Sequence, residues 1–402
     1  MLEETEARRR LIEATPLGTV SEVPLAEALG AASAAMLRAV IPVPAFDNCQ
    51  MDGYAVRSAE AIAGGVLRLV GEQPAGLDLG TVVEPGTAIR VFTGAPLPRG
   101  ADAVVMQEDV DASAAEIRLR ETSEADEFVR RRGADLCEGQ LVLREGDRLT
   151  PGRLALLASQ GWDRVLIRPA PCTAVVTTGD ELVDPGPGVR LLPGQIFNSN
   201  RAMLRAGLQA FGVASVQTFH APDDPVRLRA TLEEALHSAD FCLVAGGVSV
   251  GEKDYVKAVL DDLGVSGGFW KVRVKPGKPF FFGTLEGKVI FGLPGNPVSS
   301  WVTFLLFVLS ALQRYSGLNP DPGVPGLTPV RIRVEDEIRN QGDRPHYVRG
   351  TWNPLTGTFR MVGLQQSHAL YGLSRADCLV RVGAEESLEA GAETTGYLMG
   401  PI

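Results

Sequence analysis

The residues best equipped for chemistry lie in glycine- and proline-rich turns that close short apolar strands. They are Gly246-Gly247-Val248-Ser249-Val250-Gly251-Glu252-Lys253-Asp254, Lys275-Pro276-Gly277-Lys278-Pro279 and Leu293-Pro294-Gly295-Asn296-Pro297, with Thr178-Gly179-Asp180-Glu181 upstream. Glycine at a strand end lets backbone amides approach a ligand, and a helix starting just beyond favours an anion. Carboxylates beside such turns suit a hard cation, and lysines suit phosphate or another oxyanion. The pattern reads as a site for an anionic, phosphorylated compound together with a metal ion.

Each residue also has a plainer reading. Asp254 opens a helical pattern and there complements the helix dipole. Lys275 and Lys278 read singly as solvated loop lysines, and Glu181 as a turn carboxylate. Asp224, in Asp223-Asp224-Pro225, reads as a helix N-cap, which leaves Asp223 without a capping duty and free to face a ligand. What favours chemistry is their shared position, because strand ends in open α/β sheets gather at the carboxyl edge where ligands bind. Further upstream, Asp52-Gly53 reads most simply as a hairpin turn. Arg130-Arg131-Arg132 reads as one local anion contact or a solvated edge.

Composition narrows the field. At 402 residues the chain exceeds one ordinary core, so about two to four domains are expected. With 39 Lys+Arg against 49 Asp+Glu, the net charge of −10 lacks the basic footprint of a nucleic-acid binder. The 5 cysteines and 4 histidines are scattered, which argues against a disulfide framework or a His/Cys metal centre and for a reducing compartment. The charged start has no apolar signal core, and the longest apolar run, 301–312, is short for a bilayer. A cytoplasmic protein without nucleic-acid or membrane partners is expected. The turn at 246–251 continues with Glu252-Lys253 where a P-loop needs Lys-Ser/Thr, and no dinucleotide fingerprint follows a strand.

The elements that must position these turns follow from periodicity. Residues 3–39 carry helical apolar stripes (Leu11, Ile12, Leu25, Leu29, Met36, Leu37), and Thr150-Pro151 opens another helix. Between 52 and 139, short alternating strands predict an inserted β-domain, a barrel or sandwich. From 171 the pattern is βαβ, with strands at 174–178, 213–219, 241–245, 269–274 and 289–291. Helices are expected at 201–211 (capped by Asn200), 226–236, 255–263 and 298–315. This alternation predicts a doubly wound, largely parallel sheet. A proline-rich linker at 320–329 leads to alternating strands, a second β-domain.

With these residues in view, the chain resembles the molybdopterin molybdenumtransferases, the molybdenum insertases of molybdenum cofactor synthesis. The family's D-N-S-A-M-D-G-Y-A-V stretch appears at 47–56, R-R-R-G-x-D at 130–135, T-G-D-E-L at 178–182 and S-G-G-V-S-V-G-x-x-D-Y at 245–255. K-P-G-K-P-F stands at 275–280 and L-P-G-N-P-V-S at 293–299. Departures are Cys49-Gln50 for Ser-Ala, Ala245 for the serine before Gly-Gly, and Gly372 for a serine that often ends 366–372.

The resemblance implies an α/β multidomain subunit. Its parts are a helical, discontinuous N-terminal domain (1–45 and 140–169), an inserted β-domain (46–139), an α/β molybdopterin-binding domain (170–319) and a C-terminal β-barrel (325–402). It implies a homodimer with its cleft between the third domain of one subunit and the second of its mate, and a molybdopterin adenylyltransferase as a candidate partner. Carried over by position, Asp52, Asp135, Glu181, Asp223 and Asp254 resemble the active-site carboxylates. Thr93, Arg130, Lys271 and Lys275 resemble the polar and cationic residues, with Gly246, Gly247, Ser249, Lys278, Pro294, Asn296, Ser299 and Ser367 completing the binding set.

The implied reaction joins molybdate to adenylylated molybdopterin and releases AMP. Molybdate is a tetrahedral dianion suited to Lys275, Lys278 and a hydroxyl such as Ser299. The pyrophosphate bridge calls for Mg²⁺, for which Glu181, Asp223 and Asp254 are the expected ligands. The alternatives are a molybdopterin adenylyltransferase, whose isolated α/β domain looks similar, and a non-catalytic scaffold like the gephyrin E domain.

Overall fold

The computed structural model describes residues 1–248 and 255–400. The chain divides into two compact units: Met1–Ala35 with Glu145–Pro151 and Arg164–Ile402, and Met36–Arg144 with Gly152–Asp163. The architecture is the multidomain α/β arrangement expected, with a β-rich insertion, a mixed central sheet and a closed barrel near the C-terminus.

The larger unit is organised by a six-stranded sheet. Thr173–Thr178 pairs in parallel with Val216–Ala221 on one side and Phe241–Ala245 on the other, and Phe241–Ala245 pairs in parallel with Lys288–Leu293. Phe281–Leu285 and Ser266–Trp270 extend the sheet antiparallel. The parallel strands read as unbroken apolar runs because both faces are covered. Val175, Leu243 and Phe291 enter one core, whereas Ala174, Val176, Cys242, Val244 and Ile290 enter another. The first core is closed by helices Ser199–Ala210 and Pro297–Tyr315, the second by Pro225–Ser238 and Val256–Asp262. Gly207 lets the first pair of helices approach closely, since a Cβ there would lie 2.4 Å from the Trp301 ring. Helix Pro297–Tyr315 is long and apolar enough to cross a membrane, but 78% of its apolar window is buried against this core.

Differences from the expected elements have local causes. The helix Ser199–Ala210 is capped by Asn198, whose side chain accepts from the Arg201 N–H, not by Asn200. The strand expected at 269–274 lies at Ser266–Trp270, and Phe281–Leu285, which was not anticipated, joins it to the sheet. Helix at the N-terminus is confined to Glu4–Ala14. Beyond it, Pro16, Gly18, Pro24 and Gly30 break the stripe, Leu29 and Met36 are exposed, and Ser21–Pro24 instead pairs with Arg164–Ile167. The C-terminal strands Thr328–Val334, His346–Asn353, Thr358–Met361, Cys378–Val382 and Glu393–Leu398 close a barrel.

The smaller unit contains a second six-stranded sheet, in which Gly53–Val56 runs between Thr87–Val91 and Ala103–Met106. Gly53 is therefore a strand residue, correcting the hairpin reading. A Cβ at Gly53 would sit 2.0 Å from the Val105 carbonyl oxygen, so the close approach of the two backbones demands glycine. The neighbouring atom is backbone and cannot swing away. Gly53→Ala is expected to destabilise this sheet by about 1–3 kcal/mol, read as a lower Tm in thermal unfolding. An unchanged Tm would show that the strands part without cost.

Candidate functional site

In the larger unit the register puts the strand ends side by side. Thr178 is opposite Ala221, Thr177 opposite Ala245, and Ala245 opposite Leu293. The turns carrying Glu181, Asp223, Gly246-Gly247 and Pro294-Gly295-Asn296 thus share one carboxyl edge. The Asp223 N–H donates to Asp180 Oδ1 at 3.1 Å, tying two of these turns, and the Gly246 N–H donates to the Leu293 carbonyl at 3.1 Å, tying two others. Gly246 and Gly247 have φ of 103° and 63°, and a Cβ on either would lie within 2.8 Å of Thr178 or Val256. A side chain at Gly246 would have to move the strand end at Thr178, and one at Gly247 the Val256 side chain of helix Val256–Asp262.

The cationic turn is brought to the same helix start. Gly277 (φ 118°) packs so that a Cβ would lie 2.4 Å from Thr303 Cγ2 and 3.7 Å from the Ser299 carbonyl. Lys275 and Lys278 are exposed on either side, while Lys271 is half-buried at φ 71°. None of these ammonium groups has a hydrogen-bond or ion-pair partner among the described residues. From the barrel side, Ser367 Oγ accepts from Asn296 Nδ2 at 3.1 Å and the Ser367 carbonyl accepts from the Val298 N–H at 3.2 Å. The Lys275–Lys278 turn and Ser367 therefore lie beside the start of helix Pro297–Tyr315, which carries Ser299 and follows Asn296.

One participant escaped the sequence reading. Arg349, in strand His346–Asn353, is fully buried and donates from Nη2 to the carbonyls of Leu364 (2.7 Å) and Gln366 (3.3 Å), bracing the loop that bears Ser367. Its Nε and Nη1 have no partner among the described residues, and burial lowers its pKa to about 10, so it remains charged at neutral pH. The available signal was alternation: Arg349 shares a strand face with Tyr347, a core residue, and so marks a buried charge. Nearby, burial first and then the charges of Lys275, Arg349 and Arg344 hold His346 down at about 4, leaving it neutral.

The acidic side of the edge is partly described. Glu181 is exposed and Asp223 half-buried, and neither carboxylate has a side-chain partner among the described residues. Asp224 is the N-cap expected, accepting from the Arg227 N–H at 2.8 Å. Asp254 and Ser249 lie outside the described residues. Among those described, no cluster of His, Cys, Asp or Glu is close enough to hold a metal ion.

In the smaller unit, residues 47–50 are hydrogen-bonded to 94–97 on one side and to 128–132 on the other. This gathers Asp52, Thr93 and Arg130, with Asp135 joined through its N–H to Val43. Of the three arginines, Arg131 is paired with Asp47 and Asp126 and Arg132 with Glu138. Arg130 has no partner among the described residues. Cys49 is buried, and burial raises its thiol to about 12, so it packs and does not react.

Asp52 Oδ1 accepts from the Thr93 N–H at 2.7 Å and from Thr93 Oγ1 at 2.8 Å. These bonds, the backbone one foremost, hold its carboxyl below the ordinary 3.8, with a smaller contribution from the charge of Arg90. A depressed folded value means that the stabilisation is complete above 3.8 and is lost as the pH falls through the lower folded value. Thr93→Val removes one of the two donors and is expected to move the Asp52 titration midpoint upward, toward 3.8, in a carboxyl NMR titration. An unmoved midpoint would assign the shift to the backbone N–H alone.

Known proteins share this organisation. The model of the MoeA N-terminal region (domains I and II) matches residues 2–161, a probable molybdopterin binding domain matches 174–314, and the MoeA C-terminal region (domain IV) matches 331–398. Molybdopterin molybdenumtransferase of Haemophilus influenzae is 34% identical over 399 residues, spanning 98% of this chain and 97% of that protein. Molybdopterin molybdenumtransferase 2 of Mycobacterium tuberculosis is 35% identical over 383 residues, spanning 92% and 93%. The crystal structure of the molybdopterin biosynthesis MoeA protein from Pyrococcus horikoshii OT3 superposes with a TM-score of 0.84 at 27% identity, covering 99% of this chain and 100% of that one.

Proposed function

This chain belongs to the molybdopterin molybdenumtransferase family, and we propose that the carboxyl edge of its parallel sheet is where molybdenum passes from molybdate to adenylylated molybdopterin with release of AMP. It is a transferase of molybdenum cofactor biosynthesis. The observation supporting this placement is the meeting of acidic, glycine-rich and cationic turns at that edge.

Lys275 and Lys278 attract the molybdate dianion, Ser299 and Ser367 supply short polar contacts, and Arg349 adds a positive charge that solvent does not screen. Such a set holds a tetrahedral oxyanion without bonding to it, which leaves its oxygens free to be exchanged for sulfur. Gly246-Gly247 and Pro294 let the organic substrate lie against backbone, and Lys271 offers its phosphates a further cation. Asp52, Asp135, Thr93 and Arg130 are the polar groups proposed from the smaller unit.

Glu181 and Asp223, whose carboxylates have no partner among the described residues and whose turns are tied together through Asp180, are proposed with Asp254 as the oxygen ligands that would hold Mg²⁺. When bound, Mg²⁺ neutralises and polarises the phosphate bridge. The protein is proposed to act as a cytoplasmic homodimer, and native mass spectrometry at twice 42.8 kDa is the expected result.

Two measurements test the reading. Lys275→Ala and Lys278→Ala are each expected to weaken molybdate binding, by about 1–4 kcal/mol for a charge-assisted contact. Unchanged affinity in both would remove the lysines from the site. Asp223→Asn keeps the side-chain size and removes the charge, so it is expected to raise the Mg²⁺ concentration needed for AMP release while leaving the Tm near wild type. A loss of Tm in step with activity would make Asp223 structural.

A further inference from the structure

We infer that Asn200 is a positioning residue for the oxyanion site: it holds the Gly295–Asn296 peptide so that the Asn296 N–H is presented to the bound anion. This rests on the oxyanion reading above.

Asn200 is released from the capping role because Asn198 performs it. Its side chain is buried, 8% exposed, and Nδ2 donates to the Gly295 carbonyl at 2.6 Å. The amide orientation is unambiguous, since a carbonyl can only accept. A trans peptide is planar, with its C=O and N–H pointing in opposite directions. Drawing the Gly295 carbonyl toward Asn200 therefore turns the Asn296 N–H the other way. That N–H has no partner among the described residues and stands immediately before Pro297, the first residue of a buried helix. The side chain of Asn296 contacts Ser367 on the same turn. The donor, the helix start and the Ser367 hydroxyl are thus oriented together.

The cost of this arrangement argues that it is kept for a purpose. Asn200 Oδ1 is buried with no hydrogen-bond partner among the described residues, a penalty an apolar side chain would avoid. What an apolar side chain could not provide is the bond to Gly295. Glycine at 295 would otherwise leave this peptide free to rotate.

The test compares two asparagines on one helix in the full-length protein. Asn198→Ala removes a cap and Asn200→Ala removes the bond to Gly295, and both are expected to lower the Tm. Calorimetric titration with molybdate is expected to show about tenfold or greater weakening in Asn200→Ala and affinity within twofold of wild type in Asn198→Ala. The Asn296 amide proton should shift downfield on molybdate addition in the wild type and not in Asn200→Ala. Molybdate affinity within twofold of wild type in Asn200→Ala, or equal losses in both variants, would overturn the inference while leaving the oxyanion site standing. A wild-type protein that binds no molybdate at any concentration would remove both.

Discussion

The contact between the Gly246-Gly247 turn and the end of strand Thr173–Thr178 has no room for a Cβ. A methyl at Gly246 would lie 2.7 Å from Thr178 Oγ1 and one at Gly247 2.6 Å from Val256 Cγ2, while one at Gly295 would meet Gly246 Cα at an ordinary contact distance of 3.7 Å. The turns of three neighbouring strands consequently stack backbone on backbone. Backbone contact brings the acidic turns at Asp180 and Asp223 and the helix start at Asn296 to the same edge. It also leaves main-chain N–H groups near the surface where an anion can reach them. A sheet with ordinary side chains at these positions would splay the turns, and the charged residues would lose their common focus.

Within each unit, some of the proposed cationic residues stand unpaired among the described residues while their sequence neighbours are paired. Arg131 and Arg132 are neutralised by Asp47, Asp126 and Glu138, while Arg130 beside them has no partner among the described residues. Lys275 and Lys278 are likewise unpaired among those residues, although Arg273 between Lys271 and Lys275 pairs with Glu3. An exposed unpaired lysine costs little because water solvates it. Arg349 costs more, and the depression of its pKa to about 10 reflects burial. That value still lies well above neutrality, so Arg349 keeps a positive charge that salt screens far less than an exposed one.

Much of this was legible in the residues. Strand 241–245 and the 297–315 helix are long apolar runs bounded by Gly and Pro, and their positions followed directly. The Asp224 cap was readable because a side-chain oxygen ahead of proline is a local signal. What failed was non-local. The stripe at 15–39 has helical spacing, yet Leu29 and Met36 on it are exposed, and its prolines and glycines decided the outcome. Gly53 resembles a turn until the Val105 carbonyl is seen 2.0 Å from where its Cβ would be. Arg349 acts through Leu364 and Gln366, 15 and 17 residues away, and Asn200 through Gly295, 95 residues away, and no spacing rule names such partners.

The same distinction explains how the oxyanion turn is stabilised. Lys275 and Lys278 are close in sequence and need only a rigid turn between them. Ser367 must come from the barrel, and its loop is held from behind by Arg349 and from the front by Asn296 and Val298. Asn296 is in turn backed by Asn200 from a third element, which Gly207 allows to lie close against Trp301. Ser367 and Asn296, both proposed to face the anion, are thus each backed by further bonds, of which those from Arg349, Val298 and Asn200 are made to backbone carbonyls. Carbonyls are apt anchors because their positions are set by secondary structure and not by side-chain rotamers. In the proposed site the flexible lysines would supply attraction, while the geometry would be set by groups that cannot move without moving a strand or a helix.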